Sequence, residues 1–202
     1  MTKLLYVYEC SSECVDEIDD VIRDSMEHYH ISYVNSCIDL GFCRGLVATL
    51  DNEVVGVGVY YVVNSSPNKV GVIYYVAVKA KYRGLGLGKV LVSSIEELML
   101  SEHVKISLAT TRADNNVIKS VLGKLGYTEI FINSLNSLSN IIKKLTCGYD
   151  DDLLFIKFLD EVLREATPSI LMFLETRSNS DLINNLWRFM CYEVWLKNKG
   201  GR

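Results

Sequence analysis

Hydrophobic and polar positions along the chain follow two periods, one of strands and one of helices. Residues 3–9, KLLYVYE, predict a first strand. From Glu13 to about Ser36 the residues Val15, Ile18, Val21, Ile22, Met26, Tyr29 and Tyr33 recur at helical spacing. They predict one helix, with Ser11 or Ser12 as its cap. Phe42–Leu50 and Glu53–Val63 predict two strands, and Asp51-Asn52 between them is turn chemistry, so the pair reads as a hairpin. Asn64–Asn68 predicts a loop, and Val70–Val78 a fourth strand of β-branched and aromatic residues. Lys105–Thr111 predicts a fifth strand. Asn115–Leu125 predicts an amphipathic helix through Val117, Ile118, Val121, Leu122 and Leu125, closed by Gly126. Tyr127–Ile132 and Asn140–Leu145 predict two last strands.

The tail has its own pattern. Asp150, Asp151 and Asp152 suit a helix N-terminus and predict a helix over Leu153–Ala166, stopped before Pro168. Ile170–Phe173 stays ambiguous. Asp181–Asn198 predicts an apolar helix with the stripe Ile183, Trp187, Met190 and Val194, widened by Leu182, Leu186 and Phe189. Such a face must be covered, by the rest of the chain, in a homodimer interface, or as a wall of a substrate site.

Between the fourth strand and the next helix lies the stretch with the most chemistry. Lys79, Lys81, Arg83 and Lys89 occur there with no acid among them, and Gly84, Gly86 and Gly88 alternate inside that run. After them Leu87, Val90, Leu91, Ser94, Ile95, Leu98 and Met99 fall at helical spacing, with Glu96 and Glu97 off that face. The unit reads strand, glycine loop, helix. A helix start carries unpaired N–H groups and partial positive charge, and glycines let an anion approach them. The pattern predicts a diphosphate site. It is not a P-loop, because Gly88-Lys89 is followed by Val90 and Arg83 stands where the first glycine is needed. Nor is it the dinucleotide fingerprint, whose third glycine comes one residue later.

What fits is Arg-x-x-Gly-x-Gly, Arg83, Gly86 and Gly88, preceded by Val78 and Tyr82. Together with the strand and the amphipathic helix, this resembles the coenzyme A loop of the GNAT superfamily of N-acetyltransferases. A second signature, Asn115 followed by Lys124-Leu125-Gly126-Tyr127, resembles the family's closing helix and strand. The resemblance covers about residues 2–146. It implies an α/β (α+β) fold with a mixed, mostly antiparallel central sheet flanked by helices. Residues 1–146 would form the acetyl-CoA-binding domain and 147–202 a C-terminal helical extension. It also implies acetyl-CoA or CoA as cofactor. Backbone groups of Val76, Ala77 and Val78 would hold the pantetheine arm. The loop Arg83, Gly84, Leu85, Gly86, Leu87 and Gly88 would hold the pyrophosphate, Lys89 would add charge, and Asn115 would touch the cofactor. The reaction implied is acetyl transfer to a primary amine of a small molecule or polypeptide. The alternatives from other classes are a non-catalytic acyl-CoA sensor or interaction module, and a nucleotide-binding regulator.

Two catalytic positions depart from the family. Where many members carry a tyrosine that protonates the leaving thiolate, this chain has Leu122, and where many carry a glutamate base it has about Val72. Tyr74 shares the face of Val72 on the strand and is the candidate catalytic residue, with a core or substrate-wall tyrosine as the plainer reading.

Composition narrows the rest. The chain has 202 residues, enough for one domain or one domain with an appendage, and 49% of them are hydrophobic, enough for a full core. The net charge of −4 argues against general nucleic-acid binding. No apolar run is long enough to span a membrane, and the N-terminus meets acids too early for a secretory signal, so a cytoplasmic protein is expected. Cys10, Cys14, Cys37, Cys43, Cys147 and Cys191 form no C-x-x-C pair. With His28, His30 and His103 they give no zinc spacing, so no metal is expected. Reduced, mostly buried thiols are the favoured reading. The absence of glutamine leaves room for a thermophile, where intracellular disulfides occur. Finally, Glu9–Glu27 holds eight acids against one base, Arg23, which is either a solvated helix face or a rim that attracts a cationic amine.

Overall fold

The computed structural model describes residues 4–64, 68–160 and 177–200. Its strands are β1 (Leu5–Cys10), β2 (Cys43–Leu50), β3 (Glu53–Asn64), β4 (Lys69–Val78), β5 (Val104–Thr111), β6 (Thr128–Phe131) and β7 (Leu153–Phe158). Its helices are α1 (Val15–Ser25), α2 (Tyr29–Asp39), α3 (Leu87–Ser101), α4 (Asn116–Lys124), α5 (Leu138–Thr146), α6 (Arg177–Trp187) and α7 (Glu193–Gly200). A π-helical turn, Arg188–Tyr192, joins the last two. The strands form one seven-stranded sheet in the order β1-β2-β3-β4-β5-β7-β6. β4 and β5 pair in parallel, while β1–β2, β2–β3, β5–β7 and β6–β7 are antiparallel. The mixed, mostly antiparallel sheet expected from the sequence is therefore present.

The chain divides into two compact units, Met1–Tyr61 with Ile73–Leu98, and Val62–Val72 with Met99–Arg202. In the first, β1, β2 and most of β3 form a meander. The β2–β3 turn is Asp51-Asn52, both at positive φ (52° and 67°), the geometry a two-residue hairpin requires. Ile18, Val21 and Ile22 of α1, Leu46 and Val47 of β2, Val57 and Val59 of β3, and Leu91 and Ile95 of α3 are all 1% exposed or less, so this is a dry core. Gly58 permits the packing of α3 on β3, since a Cβ there would lie 2.9 Å from Ile95 Cδ1.

In the second unit, Lys69–Val72 of β4 pairs with β5 from Lys69↔Val104 to Val72↔Leu108. β7 pairs along β5 from Ile106↔Phe158 to Thr111↔Leu153, and β6 closes the edge. Leu122, Ile132, Ile142 and Leu153–Ile156 fill this core. The buried Ser107 and Tyr127 hydroxyls satisfy each other at 2.7 Å.

Several expectations change. The single helix over Glu13–Ser36 is two helices, broken at Met26–His28. The break falls where Asp24 and Ser25 reach out to bond β4 and the loop after it. Asn140–Leu145 is helical, not a strand, because the pairs Ile141-Ile142 and Lys143-Lys144 break strict alternation and Ile142 and Leu145 bury one helical face. Leu153–Phe158 is a strand, not a helix. Its first four residues are 1% exposed or less, the signature of a strand covered on both faces. Asp152 serves the strand entrance instead of a helix N-terminus: its amide donates to Thr111 O (3.2 Å), and its carboxylate accepts from Ala113 N (2.9 Å). The sheet thus continues past residue 146. Glu96, expected off the buried face of α3, is only 8% exposed. The Ser65–Pro67 part of the predicted loop, the end of the predicted helix over Leu153–Ala166 and Ile170–Phe173 lie outside the described residues. The tail stripe is helical as expected, with Ile183, Met190 and Val194 buried.

The cysteines are paired, not reduced: Cys10–Cys14, Cys37–Cys43 and Cys147–Cys191, with Cα–Cα separations of 6.0, 5.2 and 5.7 Å. Those separations lie inside the range a disulfide can bridge. The fold creates the pairs that spacing concealed, since the first joins a strand end to a helix start and the second closes the α2–β2 turn. Such pairing suits an oxidising compartment or the interior of a hyperthermophile. Cys147–Cys191 closes 44 residues and ties the tail helices to the end of α5. Loop-closure entropy assigns such a bond about 4 kcal/mol. Cys147→Ser with Cys191→Ser should lower denaturant stability by that order, and reductant should bring the wild-type midpoint down by at least as much. Coincident unfolding curves for variant and wild type under oxidising conditions would show that the bridge contributes nothing.

Candidate active site

The first unit places the glycine loop on the end of β4. Lys79 N donates to Val55 O at 2.9 Å, which keeps β4 against β3 to its last residue. The Val78 carbonyl accepts from Ser25 Oγ (3.1 Å) and from Arg83 Nε (3.2 Å). A 3-10 turn, Ala80–Tyr82, then lifts the chain off the strand. Tyr82 is buried and its hydroxyl donates to Glu53. That bond, with Lys81 and Lys79 nearby, holds the exposed Glu53 carboxyl below its ordinary pKa.

Gly84 and Gly86 both sit at positive φ (+82° and +80°), and a Cβ at either would meet nothing within 4 Å. Glycine is required there by the backbone, not by crowding from the chain itself, so the space beside the loop stays open. The Gly86 carbonyl accepts from Lys89 N (3.0 Å) and Val90 N (3.2 Å), which starts α3. The N–H groups of Leu87 and Gly88 then have no intrahelical acceptor, and the positive end of the helix dipole faces the same space. Leu87 is buried and anchors the first turn, while Leu85 is exposed.

Charge sorts this run in a way spacing does not reveal. Lys79 pairs with Asp20 at 2.6 Å and Lys81 with Glu53 at 3.7 Å. Among the described residues, Arg83 and Lys89 pair with no acid. The acids of α1 are therefore not a uniform rim. Asp20 neutralises Lys79, Asp24 accepts from Ala80 N at 2.7 Å, and Asp19 accepts from Asn35 at 3.3 Å. The two cations left over flank the glycines.

β4 also carries the aromatic part of the site. Tyr74 lies edge-on to Tyr61 (5.7 Å between centroids) and to Tyr75 (4.6 Å). Its hydroxyl is buried with no well-formed hydrogen bond among the described residues, and burial, with the neighbouring Tyr75 phenol, pushes its pKa well above that of a free phenol. Tyr75 is bonded to His30 of α2, Oη to Nδ1 at 3.0 Å, with the rings edge to face at 5.5 Å. Tyr29 packs on His30 at 4.1 Å, and Tyr33 on Tyr29 at 6.3 Å. Sequence reasoning weighed His30 only as a metal ligand and missed this bond. The available signal was a His-Tyr helix segment facing a strand with paired tyrosines.

The predicted residues Val76, Ala77, Val78, Arg83, Gly84, Leu85, Gly86, Leu87, Gly88 and Lys89 are thus contiguous in one unit. Asn115 belongs to the other, where it caps α4: its Oδ1 accepts from Ile118 N (3.4 Å) and its Nδ2 donates to Thr111 Oγ1 (3.2 Å). Leu122 and Val72 are both fully buried, so neither position offers space for an acid or a base.

The profile of the Acetyltransferase (GNAT) family matches residues 11–127. No curated protein sequence matches the chain. Among solved structures, the N-acetyltransferase YhbS of Escherichia coli, in complex with CoA, superposes with a TM-score of 0.60. It is 18% identical, over 80% of this chain and 84% of that one. The PaiA N-acetyltransferase of Thermoplasma acidophilum, with coenzyme A, gives 0.56 at 15% identity, over 77% and 99%. NAA60 of Arabidopsis thaliana, with a bisubstrate analogue, gives 0.55 at 13%, over 77% and 98%.

The Asp24–Ala80 bond is exposed, so its removal should cost about 1 kcal/mol. Asp24→Ala should speed hydrogen exchange at the Ala80 amide by about fivefold, the equivalent of that energy. An unchanged exchange rate would mean that α1 does not hold the loop.

Proposed function

The chain belongs to the GNAT family of acetyltransferases and draws its acetyl group from acetyl-CoA, and we propose that the accepting group is a primary amine. The matched E. coli and T. acidophilum proteins are N-acetyltransferases, which supports nitrogen as the accepting atom. The observation that carries the site assignment is the loop. Two positive-φ glycines open onto the first turn of α3 between two cations that, among the described residues, no acid neutralises.

The residues fit a CoA pyrophosphate. The N–H groups at Leu87 and Gly88 would hold phosphate oxygens, with Gly84 and Gly86 keeping the approach clear. Arg83 and Lys89 would add charge, and Leu85 would cover the ligand's apolar side. β4 pairs with β5 only as far as Val72, so the backbone of Val76, Ala77 and Val78 lies beyond that ladder and is available to the pantetheine arm. Asn115 would act mainly through the α4 cap that it makes. Tyr74 is kept as the candidate catalytic residue of the strand: burial raises its pKa, which keeps the phenol protonated but makes it a weaker acid, so its part would be to hydrogen-bond at the thioester and not to supply the thiolate's proton. Transfer depends chiefly on holding amine and thioester together, an effect of order 7 kcal/mol or more. Acids on α1 that are not engaged with the loop, Asp16 among them, would assist a cationic amine only through long-range attraction, weak beyond about 8 Å in physiological salt.

Gly86→Val tests the assignment. A branched residue is strained at φ +80° and projects into the space beside the helix start. Titration calorimetry should show CoA affinity reduced at least tenfold, with the fold intact by circular dichroism. Equal affinity in both forms would remove the loop from the binding site. Release of free thiol from acetyl-CoA in the presence of amines separates a transferase from a protein that merely binds the ligand.

A further inference from the structure

Acetyl transfer at neutral pH needs a group to take a proton from the acceptor ammonium, and the positions Val72 and Leu122 are filled by buried aliphatic side chains. We infer that His30 is that group, acting through the Tyr75 hydroxyl. The inference rests on the cofactor placement proposed above. If the pyrophosphate is held at Arg83–Gly88 and the pantetheine arm runs back along Val78–Val76, the thioester end lies toward the next residues of β4, Tyr75 and Tyr74. Tyr75 is the residue on which α2 sets a histidine, with 3.0 Å between Nδ1 and the phenol oxygen. A hydrogen bond joining an imidazole to a phenol next to the reactive end is a proton relay.

The surroundings suit a base. His30 is half-buried and packed between Tyr29 of its own helix and Tyr75 of β4. The titratable groups that face it among the described residues are Glu27 from the turn before α2, Tyr29, and Tyr75 from the strand. Burial lowers the imidazole pKa below its ordinary value, and the charge of Glu27 opposes this in part. The relay uses the neutral ring with Nδ1 accepting from Tyr75, the tautomer that carries its proton on Nε2. The bond to Tyr75 also holds the ring's orientation, so the acceptor nitrogen does not depend on a rotamer search.

The step balances. Tyr75 Oη passes its proton to His30 Nδ1 and takes one from the ammonium, leaving a neutral amine and an imidazolium. The amine lone pair forms the N–C bond to the acetyl carbonyl, and the C–S bond breaks. The second proton of the attacking nitrogen goes to the departing thiolate, and His30 returns its proton to solvent. The net products are an amide, CoA thiol and one proton.

The test uses the full chain, acetyl-CoA and two probe amines, a dipeptide α-amine (pKa about 8) and the ε-amine of blocked lysine (pKa about 10.4). In the wild type, kcat/KM should rise with pH through a single limb below about 6.5 and then level. In His30→Gln it should instead climb about tenfold per pH unit up to the pKa of the amine itself. At pH 7 the loss should be on the order of 100-fold or more for lysine and smaller for the α-amine. Tyr75→Phe, which keeps the ring, should shift the profile the same way, and calorimetry should find CoA affinity unchanged in both variants. A profile with the wild-type limb, or a loss equal at every pH and for both amines, overturns the inference. A second readout needs no turnover: by NMR, His30 should titrate below about 6.5, and Tyr75→Phe should move that titration. An ordinary or raised value, or no response to Tyr75→Phe, overturns it as well. Failure of the wild type to bind CoA would instead sink the site assignment, and its failure to acetylate any amine would sink the amine reading.

Discussion

The structure depends on the half-paired strand β4. A parallel partner is ordinarily kept along a strand's whole length, because each buried N–H and C=O needs a bond. β4 has β5 beside it only over Lys69–Val72. Its second half is held by other means: the Lys79 amide on Val55, the Ser25 hydroxyl on the Val78 carbonyl, and Gly56, where an added Cβ would come within 3.1 Å of the Ala77 carbonyl. These contacts fix Ile73–Val78 from the side of α1 and β3. The same strand then delivers the glycine loop and presents its tyrosines, so the loop and Tyr74–Tyr75 are carried by one element.

Charge placement follows from that arrangement. A run of four cations beside three glycines would bind any polyanion. Asp20 and Glu53 withdraw Lys79 and Lys81 and use them to fix the loop's entrance. Among the described residues that leaves one cation on each side of the glycine turn, Arg83 and Lys89, without an acid partner. The acids of α1 acquire a structural role by the same bonds, which is why their excess over bases in the sequence is a poor guide to the acceptor.

Most of the sheet and the whole loop were legible in the sequence, because long periodic segments and glycines at fixed spacing carry their own physics. Val70–Ser101 is the clearest case: β-branched residues, then alternating glycines, then a helical period. The misread elements were short. Asn140–Leu145 holds only three apolar residues in six, and Leu153–Phe158 is an apolar run too short for its period to decide between strand and helix. Only burial on both faces of Leu153–Ile156 decides for a strand, and burial is a property of the assembled fold. The cysteines and His30 were opaque for a related reason. Their partners come from other elements, so their chemistry exists only once β1 lies against β2 and α2 against β4. Leu122 and Val72 are legible in the sequence as aliphatic residues, and the fold adds that both are fully buried.

The disulfides bear on how His30 is held. Cys10–Cys14 and Cys37–Cys43 close loops of four and six residues, and chain entropy assigns bonds that short about 2 kcal/mol each, half the value for Cys147–Cys191. Their positions matter more than their contribution to global stability. One joins the end of β1 to the residue before α1, and the other joins Cys37, near the end of α2, to the first residue of β2, so the helical pair is tied to β1 and β2 at both of its ends. Between those ties the pair is interrupted at Met26–His28, where Asp24 and Ser25 hold the end of β4. A histidine on an unanchored helix would meet a strand tyrosine only intermittently, and a proton relay tolerates little misplacement, since a 1 Å error can cost about 100-fold in rate. Three attachments, two covalent and one through the strand, leave α2 little freedom to carry His30 away from Tyr75.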